Sequence, residues 1–152
     1  MDMVLCDFLK GAKEVLGTDF PKADKRTKWP MISAKKDFWE SLEWMPGAKR
    51  MWSFISKYDP HILSAYSTKD ANSRKGKMNW LRTNAKLTQK SRIHLVMRED
   101  KQKYAMTTDG KPNLLIDDYI KNVNEWKAKG GIGVHHTSPS DTIAQLKRLG
   151  FK

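Results

Sequence analysis

Short apolar runs alternate along this chain with stretches whose apolar residues recur at helical spacing. His61 to Tyr66 follows the turn residues Asp59-Pro60 and reads as a strand, as do Ile93 to Met97 and the run Leu114-Leu115-Ile116. Ile132 to His135 is a last short strand after Gly130-Gly131. Between them lie helical patterns. Ser67, Thr68 or Asp70 can open a helix that runs to about Leu81, and the spacing of Tyr119, Ile120, Val123 and Trp126 predicts a helix to Lys129. Ser138 or Ser140 starts another over Thr142, Ile143, Leu146 and Leu149. Strands separated by helices in this way predict βαβ units, and so a three-layer α/β domain with a Rossmann-like parallel sheet.

The amino-terminal third is less regular. Met1 to Phe8 is a short apolar run bracketed by acids and reads as a strand of minimal length; Phe8, Leu9, Ala12, Val15 and Leu16 then take helical spacing, and Gly17 is placed to stop that helix. Residues 18 to 33 contain Pro21 and Pro30 and few apolar positions, which predicts a loop. Phe38, Trp39, Leu42 and Trp44 predict a helix ending before Pro46-Gly47, with a second over Ala48, Met51, Trp52 and Ile55. The tryptophans between Trp29 and Trp52 have two readings: core packing, or one or two rings facing a cleft to stack on a base or sugar.

Composition narrows the field. A chain of 152 residues suits one domain with a real core. Its formal charge of +12 and pI near 9.8 favour polyanionic partners, although lysines spread in small groups are also an ordinary solvated surface. A single cysteine, Cys6, allows no internal disulfide and suits a reducing compartment, and no run reaches the roughly 20 apolar residues of a membrane span. The expectation is a cytoplasmic protein without a membrane partner.

The candidate chemistry sits at strand ends. Leu114-Leu115-Ile116 ends abruptly in Asp117-Asp118, and in open α/β sheets ligands bind at the carboxyl ends of the strands. The pair can ligate a divalent cation through hard oxygens, or Asp118 can cap the next helix; both readings stand. Other chemistries drop out. Gly130-Gly131-Ile132-Gly133 follows a helix where a phosphate loop would open one, one cysteine cannot make a Cys-rich zinc site, and His135 and His136 point to opposite faces of a strand. Ser64 at one strand end, Asp117 and Asp118 at another, and lysines on the helix after Ser64 are the parts that hold and neutralise a phosphoryl group.

Three segments in order, Ile62-Leu63-Ser64-Ala65, Lys77-Met78-Asn79-Trp80-Leu81 and Leu114-Leu115-Ile116-Asp117-Asp118, resemble the second, third and fourth motifs of haloacid-dehalogenase-like phosphatases. They look most like the 5'(3')-deoxyribonucleotidase group, which includes small versions carried by bacteriophages. The resemblance extends to Asn122, Trp126 and Gly130-Gly131, and covers nearly the whole chain. It implies a magnesium-dependent phosphomonoesterase acting on (deoxy)nucleoside monophosphates. Residues 18–56 would be a helical cap on a core of 1–17 and 57–152, with Phe38, Trp39 and Trp44 touching the nucleobase. Ser64 would donate to the phosphoryl oxygens, Lys77 would stabilise their charge, and Asp2, Asp117 and Asp118 would hold the metal.

The first motif departs from the family's Asp-Met-Asp-Gly-Val-Leu. With Val4 to Phe8 in register, Asp2 matches the acid/base aspartate, Met3 replaces the glycine, and the nucleophile would precede Met1. With Asp2 as nucleophile, the acid and its glycine are deleted. Either register leaves one carboxylate short, so the expected activity is impaired. The alternatives are an inactive protein that binds nucleotide or nucleic acid through its basic surface, and a purely structural protein on the same fold.

Overall fold

Helical and strand periodicities are realised where they are strongest. The computed structural model describes every residue from Met1 to Lys152 and contains four strands: β1 (Ile62–Ala65), β2 (Ile93–Val96), β3 (Leu114–Asp117) and β4 (Ile132–His135). Six helices accompany them: α1 (Phe8–Leu16), α2 (Lys28–Ala34), α3 (Ala48–Ser56), α4 (Ser73–Thr83), α5 (Ile120–Ala128) and α6 (Pro139–Arg148). Gly17 ends α1 in the left-handed region at φ 72°, where its N–H donates to the Lys13 carbonyl. Ser138 caps α6 by accepting from the Asp141 amide, and Pro139 follows at the first helical position. The chain is therefore a mixed α/β protein. No helix is long and apolar enough to cross a membrane.

The strands do not join into one sheet. β1 pairs in parallel with β2, Ile62 opposite Ile93 and Ala65 opposite Val96; β3 pairs in parallel with β4, Leu114 opposite Ile132 and Asp117 opposite His135. These are two separate two-stranded sheets, where the sequence pattern predicts a single one.

Three local expectations are corrected. Met1 to Phe8 is a turn: Met3 takes φ 62°, and the Met1 carbonyl accepts from the amides of Val4, Leu5 and Cys6. The turn tucks Val4, Leu5 and Cys6 into the core. Within the expected loop, residues 28–34 form α2, because Pro30 falls in the first turn, where its missing N–H breaks no helical bond. Phe38 to Trp44, expected as a helix, instead follows a series of turns.

One large hydrophobic cluster joins Ile32, Phe38, Trp39, Leu42 and Met51 of residues 18–56 to Val4, Ile62, Trp80 and Leu81. Asp70 fixes the join. Its buried carboxylate accepts from Trp39 Nε1 at 2.8 Å, from Ser33 Oγ at 3.2 Å, and from the Asn72 amide at 2.9 Å. Trp39 lies against α4 at Gly76, where an added Cβ would stand 2.5 Å from Trp39 Cβ.

Gly76 consequently reverses the usual helix preference. Alanine is favoured over glycine in a helix by about 1 kcal/mol, whereas forcing a methyl group into a packed core costs about 1–3 kcal/mol. Gly76→Ala is expected to lower stability to chemical denaturation, and a gain would show that α4 does not pack on Trp39.

Candidate active site at the strand ends

Burial of one face of α4 creates the site's first problem. Ser73, Gly76, Lys77, Trp80 and Leu81 face inward, so the Lys77 ammonium is carried into the interior with only 1% of the residue exposed. A buried ammonium needs an acceptor for each of its three N–H groups. Lys77 Nζ finds them in Asp2 Oδ2 at 2.9 Å, Ser64 Oγ at 3.1 Å and the Ala65 carbonyl at 2.6 Å. Ser64 is available because β1 alternates, with Ile62 and Ser64 on its buried side. The Trp39 ring centroid lies 5.1 Å from the ammonium and closes another side.

Asp2 is held ionised. Burial would raise its carboxyl pKa, but the Lys77 charge, the nearby amino group of Met1 and hydrogen bonds from Lys77 and Cys6 outweigh it and hold it below the ordinary value. A general acid working near neutral pH needs a raised pKa. The acid half of the role implied for Asp2 by the resemblance does not match this environment; the ionised form suits a nucleophile, a base or a charge partner. Asp7 offers no substitute, since its side chain caps α1 by accepting from the Lys10 amide.

A second ion pair lies at the end of β3. Lys101, in the 3-10 segment Arg98–Tyr104, donates to Asp117 Oδ2 at 2.9 Å, with side chains 10% and 6% exposed. Asn122 Nδ2 donates to the same oxygen at 3.1 Å, and the Tyr119 amide donates to Oδ1 at 2.9 Å. Burial alone would raise the Asp117 pKa; Lys101 and the Tyr119 amide bring it below the ordinary value. The two pairs are electrostatic neighbours. The Met1 amino group is depressed by burial and then by Lys101, while Asp2 pulls it the other way.

The structure sorts the remaining expectations. Ser64, Lys77 and Asp2 are joined directly, while Asp117 belongs to Lys101. Lys101 escaped the sequence reading because it sits in the basic group Arg98 to Lys103, which has the composition of a solvated surface. Its usable signal was position, a few residues beyond the end of β2. Asp118 caps nothing: α5 has Tyr119 at its cap position, and the Asp118 carboxyl is pushed up by burial and by the adjacent Asp117 charge. Phe38 and Trp39 are core residues, 1% and 2% exposed, so neither ring is offered to a nucleobase, whereas Trp44 is half-buried and packs on Trp80 at 4.9 Å between ring centroids. His136 is buried against Thr142 Oγ1 at 2.6 Å, whereas His135 meets the Asp118 carbonyl at 3.0 Å.

The acids do not make a cation shell as they stand. Asp2, Asp117 and Asp118 form no group of three or more side chains placed around a common metal position, and two of the three carboxylates are taken up by lysines. A mostly apolar cavity of about 600 Å³ also lies elsewhere and excludes Ser64, Lys77 and Asp117 from its lining. Comparison with protein-family models and with curated proteins found no match to this chain.

The lowered Asp117 pKa sets a pH window. Its ion pair contributes stability that is fully present above the ordinary carboxylate value of 3.8 and is lost as pH falls through the lowered folded value. Lys101→Met strands a buried carboxylate and is expected to cost about 3–5 kcal/mol at neutral pH. In that variant burial is opposed only by the Tyr119 amide, Asn122 and the Met1 amino group, so the Asp117 pKa rises from its lowered value and the deficit grows as pH rises past that value. Denaturation at a series of pH values should show the two stability curves converging below about pH 4, where the carboxyl protonates. Parallel curves would mean that Lys101 does not hold Asp117.

Proposed function

We propose that this chain binds the phosphoryl group of a (deoxy)nucleoside monophosphate at the carboxyl ends of β1 and β3, and hydrolyses it slowly if at all. The reading is that of a haloacid-dehalogenase-like phosphatase with an incomplete first motif, its two parallel pairs being parts of one three-layer, Rossmann-like architecture. The observation that supports it best is the pair of buried lysines, Lys77 and Lys101, held with the Ser64 hydroxyl at strand ends.

Ser64 and Lys101 supply donors for a phosphoryl group, while the charge of each lysine is shared with the carboxylate it already holds. Ser64 Oγ accepts from Lys77, which leaves its own O–H free to donate; Lys101 spends one N–H on Asp117 and keeps two. Fixed donors of this kind neutralise charge without reorganisation when they are preset in a water-poor site. Because the carboxylates are occupied by lysines, charge neutralisation in this proposal rests on Lys77, Lys101 and Ser64, and no step runs through magnesium. Turnover is slow for a different reason: Asp2 is one ionised carboxylate with no second carboxylate beside it to protonate the leaving group.

A second reading, polyanion binding without chemistry, is favoured by one observation, the formal charge of +12. Thermal unfolding with inorganic phosphate or deoxynucleoside monophosphates, with and without magnesium, separates the two. A ligand at a hundred times its Kd stabilises by about 2.7 kcal/mol, and this gain should disappear in Ser64→Ala and Lys101→Ala. Phosphate release should stay orders of magnitude below the ~10 s⁻¹ of an ordinary enzyme. No phosphate-induced shift, together with salt-dependent retention on DNA, would leave the second reading standing. Rapid release would show that Asp2 has a catalytic partner after all.

A further inference from the structure

The cavity of about 600 Å³ is of a size that takes a small molecule, since ligand pockets run from roughly 300 to 1,000 Å³. Its wall includes Ile62 and Leu63 of β1, Leu114 and Leu115 of β3, and the rings of Trp52 and Trp126. The few polar side chains in the lining are mostly committed elsewhere. Tyr58 Oη donates to the Lys152 carbonyl at 2.8 Å, Asn113 Nδ2 donates to the Tyr104 carbonyl at 2.8 Å, and Thr107 Oγ1 accepts from the Lys111 amide at 2.9 Å. A body with polar edges, such as a nucleobase, finds few side-chain partners inside, and burying a polar group without a partner is costly. A hydrocarbon body meets no such cost.

The rim has a different chemistry. Tyr58, His61, Tyr104 and Asn113 are the exposed residues of the lining and mark where the cavity meets solvent. There His61 Nδ1 and His94 Nε2 lie 2.9 Å apart, while the ring centroids are 5.2 Å apart and the planes 6° from parallel. The centroid separation is the N···N distance with one ring radius at either end, so the two nitrogens face each other and share one proton. His61 Nε2 and His94 Nδ1 have no protein partner, and whichever way the shared proton sits, one of them carries an N–H to donate. Cations stand beside this rim. Lys57 Nζ lies 5.5 Å from the Tyr58 ring centroid and 4.7 Å from that of Phe54, Lys147 Nζ lies 6.0 Å from that of Phe54, and neither is in an ion pair. No acid lines the cavity. Of the acids next to lining residues in the chain, Asp2, Asp117 and Glu125 are tied to Lys77, Lys101 and Arg98, which leaves only Asp59. An apolar interior with a cationic, donor-bearing rim is complementary to an apolar tail with a negative head. We propose that this cavity binds a single-chain carboxylate amphiphile of the fatty-acid class, its tail against Leu63, Leu115 and Trp126 and its carboxylate at the His61–His94 rim on the Lys57 side. This site is separate from the strand-end contacts of Lys77 and Lys101 and does not depend on the phosphoryl reading.

The test is calorimetric titration of the full chain with straight-chain carboxylates from butanoate to dodecanoate, each below its micelle concentration, and with alkyltrimethylammonium ions of matching length. One site per chain is expected, with Kd falling about fourfold for each added methylene until the cavity is full and levelling beyond that length. The cationic amphiphile should bind roughly tenfold more weakly than the carboxylate of the same length. Exchange of both Lys57→Glu and Lys147→Glu, two exposed positions, should remove that preference. Inorganic phosphate should not displace decanoate. The proposal is overturned by the absence of saturable binding, by equal affinity for the two head groups in the unaltered chain, or by a preference that survives the double exchange. A Kd that keeps falling with length would also overturn it, because the tails would then be associating outside a cavity of fixed size. Displacement by phosphate would do the same by placing the carboxylate with Lys77 and Lys101.

Discussion

The Lys77 ammonium constrains the molecule more than any other group. It is an ionised side chain in an almost fully enclosed position, and its acceptors come from three places: the amino-terminal turn, the side chain at the end of β1, and the main chain one residue on. A buried charge that loses one partner keeps its full desolvation cost, so the three segments hold one another in place. The packing around it follows. Val4, Leu5 and Cys6 enter the core because Asp2 is anchored, and Trp39 closes over Lys77 because Gly76 lets the ring approach α4.

The local and global electrostatics of the chain differ in kind. Its surface is strongly basic, but at the strand ends each buried lysine stands against a carboxylate, so the site is internally neutralised. Long-range attraction of an anion is a property of the surface; its retention at the strand ends depends on exchanging or sharing partners that are already in place. Lys101 is the more adaptable of the two lysines, since its single hydrogen bond leaves donors to share, whereas all three of Lys77's are used.

Legibility in the sequence followed the range of the interactions that decide each feature. β1, β3, β4, α5 and α6 have local signals that agree, namely apolar spacing, turn residues before them and, for α6, a serine cap followed by proline; these elements lie close to where the pattern places them. α2 was hidden by Pro30, a residue that breaks helices only beyond their first turn. Phe38 to Trp44 has helical spacing of apolar residues, yet the pull of Asp70 on Trp39 and the shared core bury these residues from a chain of turns instead. Ser64 and Asp117 could be nominated because they lie at strand ends, and Lys77 because it opens the segment Lys77 to Leu81 that resembles the family's third motif. Lys101 could not, because its burial depends on an acid sixteen positions away. Whether four strands make one sheet or two is a question of non-local pairing that no window of sequence carries.

Cys6 gives the anchored corner a chemical consequence. Its thiol is fully buried, contacts Asp2 Oδ1 and the Met1 carbonyl, and has its pKa pushed up by burial and by the Asp2 charge. Only the thiolate reacts readily with alkylating reagents, and reagent cannot reach this sulfur while the turn is seated. The chain thus has a single built-in timer: each thiol modified records one molecule in which the packing over Cys6 had opened, so the rate of labelling measures how often that corner opens.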